Sequence, residues 1–161
     1  MAAMRDEHSK ERLVERGKAF AAVGDLTRAE DYLAAAIDQG ANPKEILPLL
    51  MDVCVRGGRY RSAIQHAENH LRKYPHDSAT RLVMGTLYAA LGEGKEARSA
   101  LEQVVVEHPD DAQAHYVLAV VARDSDNDVI AADRHFREYL RIQPNGAHAE
   151  EARAALLKRM P

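Results

Sequence analysis

Between residues 78 and 111 the apolar positions fall into two runs of helical spacing with a stop signal between them. In the first run Leu82, Gly85 and Tyr88 to Leu91 return every three or four residues, the period of one helix face. Gly92 follows, a residue suited to the left-handed position past a helix end. In the second run Ala97, Leu101, Val104 and Val105 stand at i, i+4, i+7 and i+8, a single apolar stripe. Pro109 closes it, because proline cannot continue a helix and restricts the residue before it. The stretch predicts a helix, a tight turn and a second helix. Neither helix could bury its stripe alone, so the pattern requires neighbours to stack against.

Those neighbours are present. Gly24, Gly58 and Gly92 are 34 residues apart, as are Ala29, Ala63 and Ala97, and also Leu33, Ala67 and Leu101. Pro75 and Pro109 keep the interval, and Gly17 and Gly85 stand two intervals apart with Met51 between them. In the last copy the spacing lengthens to 35 and gives Ala132, Phe136 and Pro144. The small residues Gly85 and Ala97 are expected at the crossing of the two helices, where the backbones come close. The order Met84, Gly85, Tyr88, Ala97, Leu101, Pro109 resembles the tetratricopeptide repeat. The resemblance covers nearly the whole chain, in copies at about 10–43, 44–77, 78–111 and 112–146. It implies an all-α fold, a right-handed solenoid of four helix-turn-helix repeats. Two departures stand out: the leading tryptophan position holds Leu13, Leu47, Arg81 and His115, and Cys54 replaces the aromatic of the second copy.

The ending PNGAHAEEARAALLKRM predicts a C-terminal capping helix at about 147–159, with its apolar stripe at Ala149, Ala152, Leu156 and Met160. Glu150, Glu151 and Arg153 make its polar face, and Lys158 and Arg159 suit its C-terminal dipole. No Gly/Ser-rich linker interrupts the chain, so one domain over residues 1–161 is expected, with residues 1–8 fraying. Pro43 fits the first turn of a helix, whereas Pro48, one turn later, should bend it.

Composition agrees with packed helices. The 161 residues are 46% apolar, rich in alanine, and only 5% aromatic with no tryptophan. A formal net charge of −3 leaves no basic excess for nucleic acid or an anionic membrane. Cys54 is the sole cysteine, which excludes an intrachain disulfide. No run of 18 apolar residues exists, and the start has no secretory signal, so a cytoplasmic protein without membrane insertion is expected. The Ala and Arg content points to a bacterial source.

Four places in the sequence offer candidate chemistry. His66 and His70 have i, i+4 spacing, but Glu68 is one position late for a zinc-protease pattern, so His66 is expected on an exposed face and His70 at a helix contact. Cys54 falls at an inward position and is expected as a buried structural thiol. The glycines near 57–58 and 92–94 fit no phosphate loop. Asp124, Asp126 and Asp128 alternate like the start of a calcium loop, but the sixth and twelfth positions hold Val129 and His135 in place of Gly and Glu. The repeat register makes this stretch the turn of the fourth copy, with Asn127 in the glycine position and Asp128 as helix cap. No catalytic residue, cofactor or metal is expected.

What remains is the inner face. By resemblance to the family, the first helix of each repeat lines a concave groove. Carried onto this chain, its partner-binding positions include Val14 and Lys18, then Asp52 and Val55, then Leu82, Thr86 and Ala89, then Tyr116, Val120 and Arg123. Tyr116 would be the large anchor, on a small apolar floor bordered by charges. The positions matching the family's clamp for heat-shock chaperone tails (Val14, Lys18, Leu49, Ala79, Val83) lack the basic and amide cluster a carboxylate needs. The resemblance therefore implies a non-catalytic adaptor or scaffold that binds another protein or peptide segment. The alternatives are a secretion-type chaperone holding an extended substrate, or a self-associating assembly scaffold.

Overall fold

The computed structural model describes the backbone of residues 2–157 and the side chains of residues 9–157. Among the described residues there are nine helices and no strand, an all-α helical-repeat fold. The chain divides into two compact units, one ending at Tyr74 and one beginning at Pro75.

The first unit contains α1 (Ala2–Ala22), α2 (Leu26–Asp38), α3 (Pro43–Arg56) and α4 (Tyr60–Lys73). Each packs on the next in chain order. Helix α1 begins at Ala2, so its backbone is helical where fraying of residues 1–8 was expected. Helix α3 has Pro43 in its first turn and runs on through the exposed Pro48 without interruption. The core of this unit is Leu33, Leu50, Val53 and Cys54, all at most 1% exposed, packed among Ala29, Ala36, Ala63 and Ala67.

The second unit contains α5 (Ser78–Ala90), α6 (Gly94–Glu107), α7 (Ala112–Asp124), α8 (Val129–Ile142) and the short α9 (Ala149–Ala155). Again each helix packs on the next, and α5 also touches α7. Two clusters form its core. One joins Ala97, Leu101 and Val104 to Val117, Leu118 and Val121. The other sets Phe136 and Tyr139 among six small residues, Ala112, Ala119, Ala122, Ala132, Ala149 and Ala152.

The turns explain the register. Gly24, Gly58 and Gly92 have φ of 81°, 70° and 75°, the left-handed conformation that favours glycine. In each of these turns a backbone N–H reaches the carbonyl five residues back: Asp25 to Phe20, Arg59 to Cys54, Glu93 to Tyr88. Asn127 takes the same place in the fourth turn with φ 51°. There the equivalent bond runs from Asp128 N–H to the Ala122 carbonyl, six residues back, at 2.8 Å. That wider ring absorbs the extra residue that lengthens the last repeat. Asp128 then caps α8, its carboxylate accepting from Ala131 N–H at 2.9 Å.

The helix crossings depend on glycine. A Cβ on Gly85 would lie 2.7 Å from Leu101 Cγ and 3.3 Å from Ala100 Cβ, and one on Gly17 would lie 2.7 Å from Leu33 Cγ. The nearest partners of Gly85 are thus Leu101 and Ala100 rather than Ala97, although Ala97 is fully buried beside them.

The capping helix is shorter than expected. It ends at Ala155, and Leu156 is already extended with ψ 137°. The reason is a capture by α8: Leu157 N–H donates to Asp133 Oδ1 at 2.8 Å while Arg137 donates to the Leu157 carbonyl. Lys158, Arg159 and Met160, which the expected helix included, lie outside the described residues.

Candidate inner-face interaction site

The ten expected groove residues occupy four helices in two units. In the first unit Val14 and Lys18 lie on α1, Asp52 and Val55 on α3; the valines are half-buried and the charged pair exposed. Both charges are answered locally, Lys18 Nζ by Glu15 at 3.4 Å and Asp52 by Arg56 at 3.5 Å. In the second unit Leu82, Thr86 and Ala89 lie on α5 and Tyr116, Val120 and Arg123 on α7, all half-buried. Thr86 returns its hydroxyl to the Leu82 carbonyl at 2.9 Å, which leaves mainly its methyl side to present outward. Leu82, Ala89 and Tyr116 pack partly on one core cluster, Tyr116 and Val120 partly on the other. The face is therefore continuous with the core and only partly closed.

Its closure comes from a place the periodicity did not mark. The His148 ring stacks on Tyr116 with centroids 3.8 Å apart and planes 12° apart. Tyr116 donates its hydroxyl to Glu151 Oε2 at 2.8 Å, and Arg123 Nη1 donates to Glu151 Oε1 at 3.1 Å. Burial and then this carboxylate push the Tyr116 phenol up to about 12. In return the Tyr116 hydroxyl, more than any other contact, holds Glu151 below the usual carboxylate range. Arg123 also grips Asp124 through two nitrogens, at 2.6 and 3.1 Å, and lies 5.6 Å over the Phe136 ring. So Glu151 lies on the exposed polar face expected of the cap and from there also ties the expected anchor and its neighbouring charge to α9. The available signal was an acid in the first turn of the cap, three residues after a histidine.

The polar residues at the leading tryptophan position have a shared task. Arg81 donates to the Pro75 carbonyl and His115 Nε2 to the Pro109 carbonyl at 2.9 Å, each bond spanning six residues. Both side chains are buried, and each fastens its helix to the proline that ended the repeat before. With His115 Nε2–H committed, its Nδ1 accepts from His135 Nδ1–H at 3.1 Å. Burial, then His115, then Arg134 push His135 down to about 4, with Glu138 pulling weakly the other way. In the unfolded chain such a ring binds its proton near pH ~6.5. The unfolded state therefore holds more protons between those limits, and stability is lost as pH falls from about 6.5 toward 4. His135→Gln is expected to flatten the fall in melting temperature between about pH 7 and 5; a slope equal to that of the wild type would show that the pair is not its source.

Each of the alternating aspartates is taken up by a local partner. Asp124 belongs to Arg123, Asp126 pairs with Arg98, and Asp128 caps α8. The two expected histidines do not converge. His70 is buried and stacks on Tyr74, whereas His66 turns away from the exposed face expected for it and sets Nε2 3.2 Å from Glu30 Oε1. Cys54 is fully buried, as its inward register implied, and burial pushes its thiol up to about 12. Among the described residues no helix is long and apolar enough to cross a membrane.

Comparison with known proteins follows the same register. Two family models described as tetratricopeptide repeat match residues 14–78 and 55–121, together two-thirds of the chain. A curated relative, the human protein O-mannosyl-transferase TMTC1, is 26% identical over 121 residues. That match takes in 75% of this chain and only 14% of the length of the relative. Among solved structures, a tetratricopeptide repeat protein from Parabacteroides merdae aligns over 92% of this chain and 59% of its own, with 24% identity and a TM-score of 0.80. MamA aligns over 91% and 79%, with 18% identity and a TM-score of 0.79. YrrB, described as a tetratricopeptide repeat protein with an unusual peptide-binding site, aligns over 86% and 71%, with 21% identity and a TM-score of 0.72. Matched by two models of the same repeat and built of helix pairs in that register, the chain belongs to the tetratricopeptide repeat family.

Proposed function

We propose that this chain is a non-catalytic adaptor that holds a segment of another protein on the inner faces of its first helices. The observation that carries this reading is the α5–α7 face of the second unit. There Leu82, Ala89 and Val120 remain half-buried, with no helix of their own unit covering them fully. Apolar residues left so on neighbouring helices are what a partner side chain would finish burying. In the first unit Val14 and Val55 offer smaller apolar contacts next to Lys18 and Asp52, charges suited to setting direction rather than strength. YrrB, a tetratricopeptide repeat protein with a peptide-binding site, lends the reading support by fold likeness only.

A charge placed on the floor tests it. Leu82→Glu is expected to weaken capture of the bound protein at least about tenfold, because a carboxylate would be desolvated against the partner. Gln103→Glu, on an exposed side of α6, should leave capture unchanged. Affinity capture from the native lysate, read by mass spectrometry, compares the two. Recovery of the same partners at wild-type level by Leu82→Glu would remove the groove from consideration. Tyr116→Ala is a less direct probe, since it also releases His148 and Glu151.

A further inference from the structure

The first unit holds a convergence of donor atoms that the groove reading does not use. Glu30 on α2, Cys54 on α3 and His66 on α4 each turn one ligand atom toward a common space, and those atoms all lie within 4.8 Å of one another. Three helices contribute, so the meeting is not a product of local sequence. Cys54 is fully buried, and the side chains of Glu30 and His66 are 15% and 24% exposed. Arg59 donates Nε to Glu30 Oε2 at 2.6 Å and Nη2 to the Leu26 carbonyl at 2.8 Å, which leaves Oε1 facing the His66 ring. The repeat supplies its own control. Thirty-four residues on, the same register positions hold Ile64, Tyr88 and Ala100: an aliphatic, an aromatic and a methyl group in place of a carboxylate, a thiol and an imidazole.

We propose that Glu30, Cys54 and His66 form a binding site for a thiophilic divalent cation of the zinc class, with a fourth coordination position left to solvent. Sulfur, imidazole nitrogen and carboxylate oxygen together select zinc-like ions over magnesium or calcium. Ligands at ~2.0–2.3 Å from a tetrahedral ion lie ~3.3–3.7 Å apart, so the cluster has to close by about 1 Å. Rotation of the half-buried His66 ring supplies that movement. His66 also borders a cleft of about 400 Å³ shared with Leu47, Leu50 and Asn69, which gives an ion a way in. The charges balance: a thiolate and a carboxylate meet the two positive charges of the ion. Arg59 keeps Oε2 and holds the carboxylate oriented, the part an outer-shell partner plays. On binding, the S–H bond of Cys54 breaks, its proton passes to solvent and a sulfur–metal bond forms, with no change of oxidation state. Because burial pushes the free thiol up to about 12, the ion competes with that proton and apparent affinity rises with pH.

Cobalt(II), titrated into the full chain at mildly alkaline pH, is the probe. The expected result is a one-to-one sulfur-to-cobalt charge-transfer band in the near ultraviolet. It should be displaced by zinc and accompanied by release of one proton per ion in weakly buffered solution. Cys54→Ser should lose the band, and Glu30→Gln and His66→Asn should each weaken cobalt affinity by about tenfold or more, with helicity confirmed by circular dichroism. Wild-type protein that gives no such band at saturating cobalt overturns the proposal without reference to any variant. A band of undiminished affinity in folded Glu30→Gln and His66→Asn overturns it equally.

Discussion

Gly85→Leu is expected to destabilise the second unit by about 3 kcal/mol or more, read as a lower urea midpoint. Two effects of opposite sign decide this. Glycine inside a helix costs roughly 1 kcal/mol relative to alanine, so replacing it would help if space allowed. Space does not allow it. The first added carbon already falls 2.7 Å from Leu101 Cγ and 2.9 Å from Leu101 Cδ2. Leu101 has no exposed surface and cannot swing away without opening the cluster around Val104, Val117 and Val121. The three further carbons of leucine then force α5 and α6 apart, and strain of this kind outweighs the helix preference. Gly85→Ala calibrates the argument: it carries the propensity gain and only the first carbon's contacts with Leu101 and Ala100, so it should cost clearly less than Gly85→Leu. A Gly85→Leu midpoint equal to that of the wild type would mean that the 34-residue spacing of small residues does not mark the crossing.

That crossing was legible because it is periodic. A glycine two intervals from another, an alanine stripe and a turn glycine all recur, and recurrence separates register from accident. The same logic placed Asn127 and Asp128: a residue tolerant of left-handed φ stood where glycine was missing, and a capping carboxylate followed it. What stayed hidden lies between repeats. Nothing in the spacing says that the His148 ring lies flat on Tyr116 or that Glu151 answers both Tyr116 and Arg123. Such contacts depend on the rotamers of long polar side chains, and each occurs once. The convergence of Glu30, Cys54 and His66 leaves no periodic trace for a related reason. The histidine spacing relates His66 and His70 along one helix, at i and i+4, whereas His66 finds its partner across to α2. The end of α9 also escaped the stripe, because Asp133 and Arg137 of the neighbouring helix decide it.

Phe136→Ala is expected to cost about 3–5 kcal/mol, the range for truncating a fully buried aromatic. The surroundings explain why. Phe136 has no exposed surface, and its buried neighbours are almost all alanines, from Ala112, Ala119 and Ala122 on α7 to Ala149 and Ala152 on α9. A methyl group has no rotamer with which to reach into a hole, so the cavity stays open rather than refilling. Arg123 loses the ring beneath its guanidinium, and Tyr116 loses an aromatic neighbour 6.3 Å away. Phe136→Leu, which keeps most of the volume, should cost less than about 1.5 kcal/mol. Where the loss is felt is as informative as its size. In a helical repeat each pair is stabilised chiefly by its neighbours, so damage should concentrate nearby instead of spreading evenly. Amide exchange in Phe136→Ala is expected to quicken in α7, α8 and α9, while α1 to α4 keep their wild-type protection. Uniform acceleration through all helices would instead reveal a chain that opens as one cooperative block, in which Phe136 supports every repeat and not only the last.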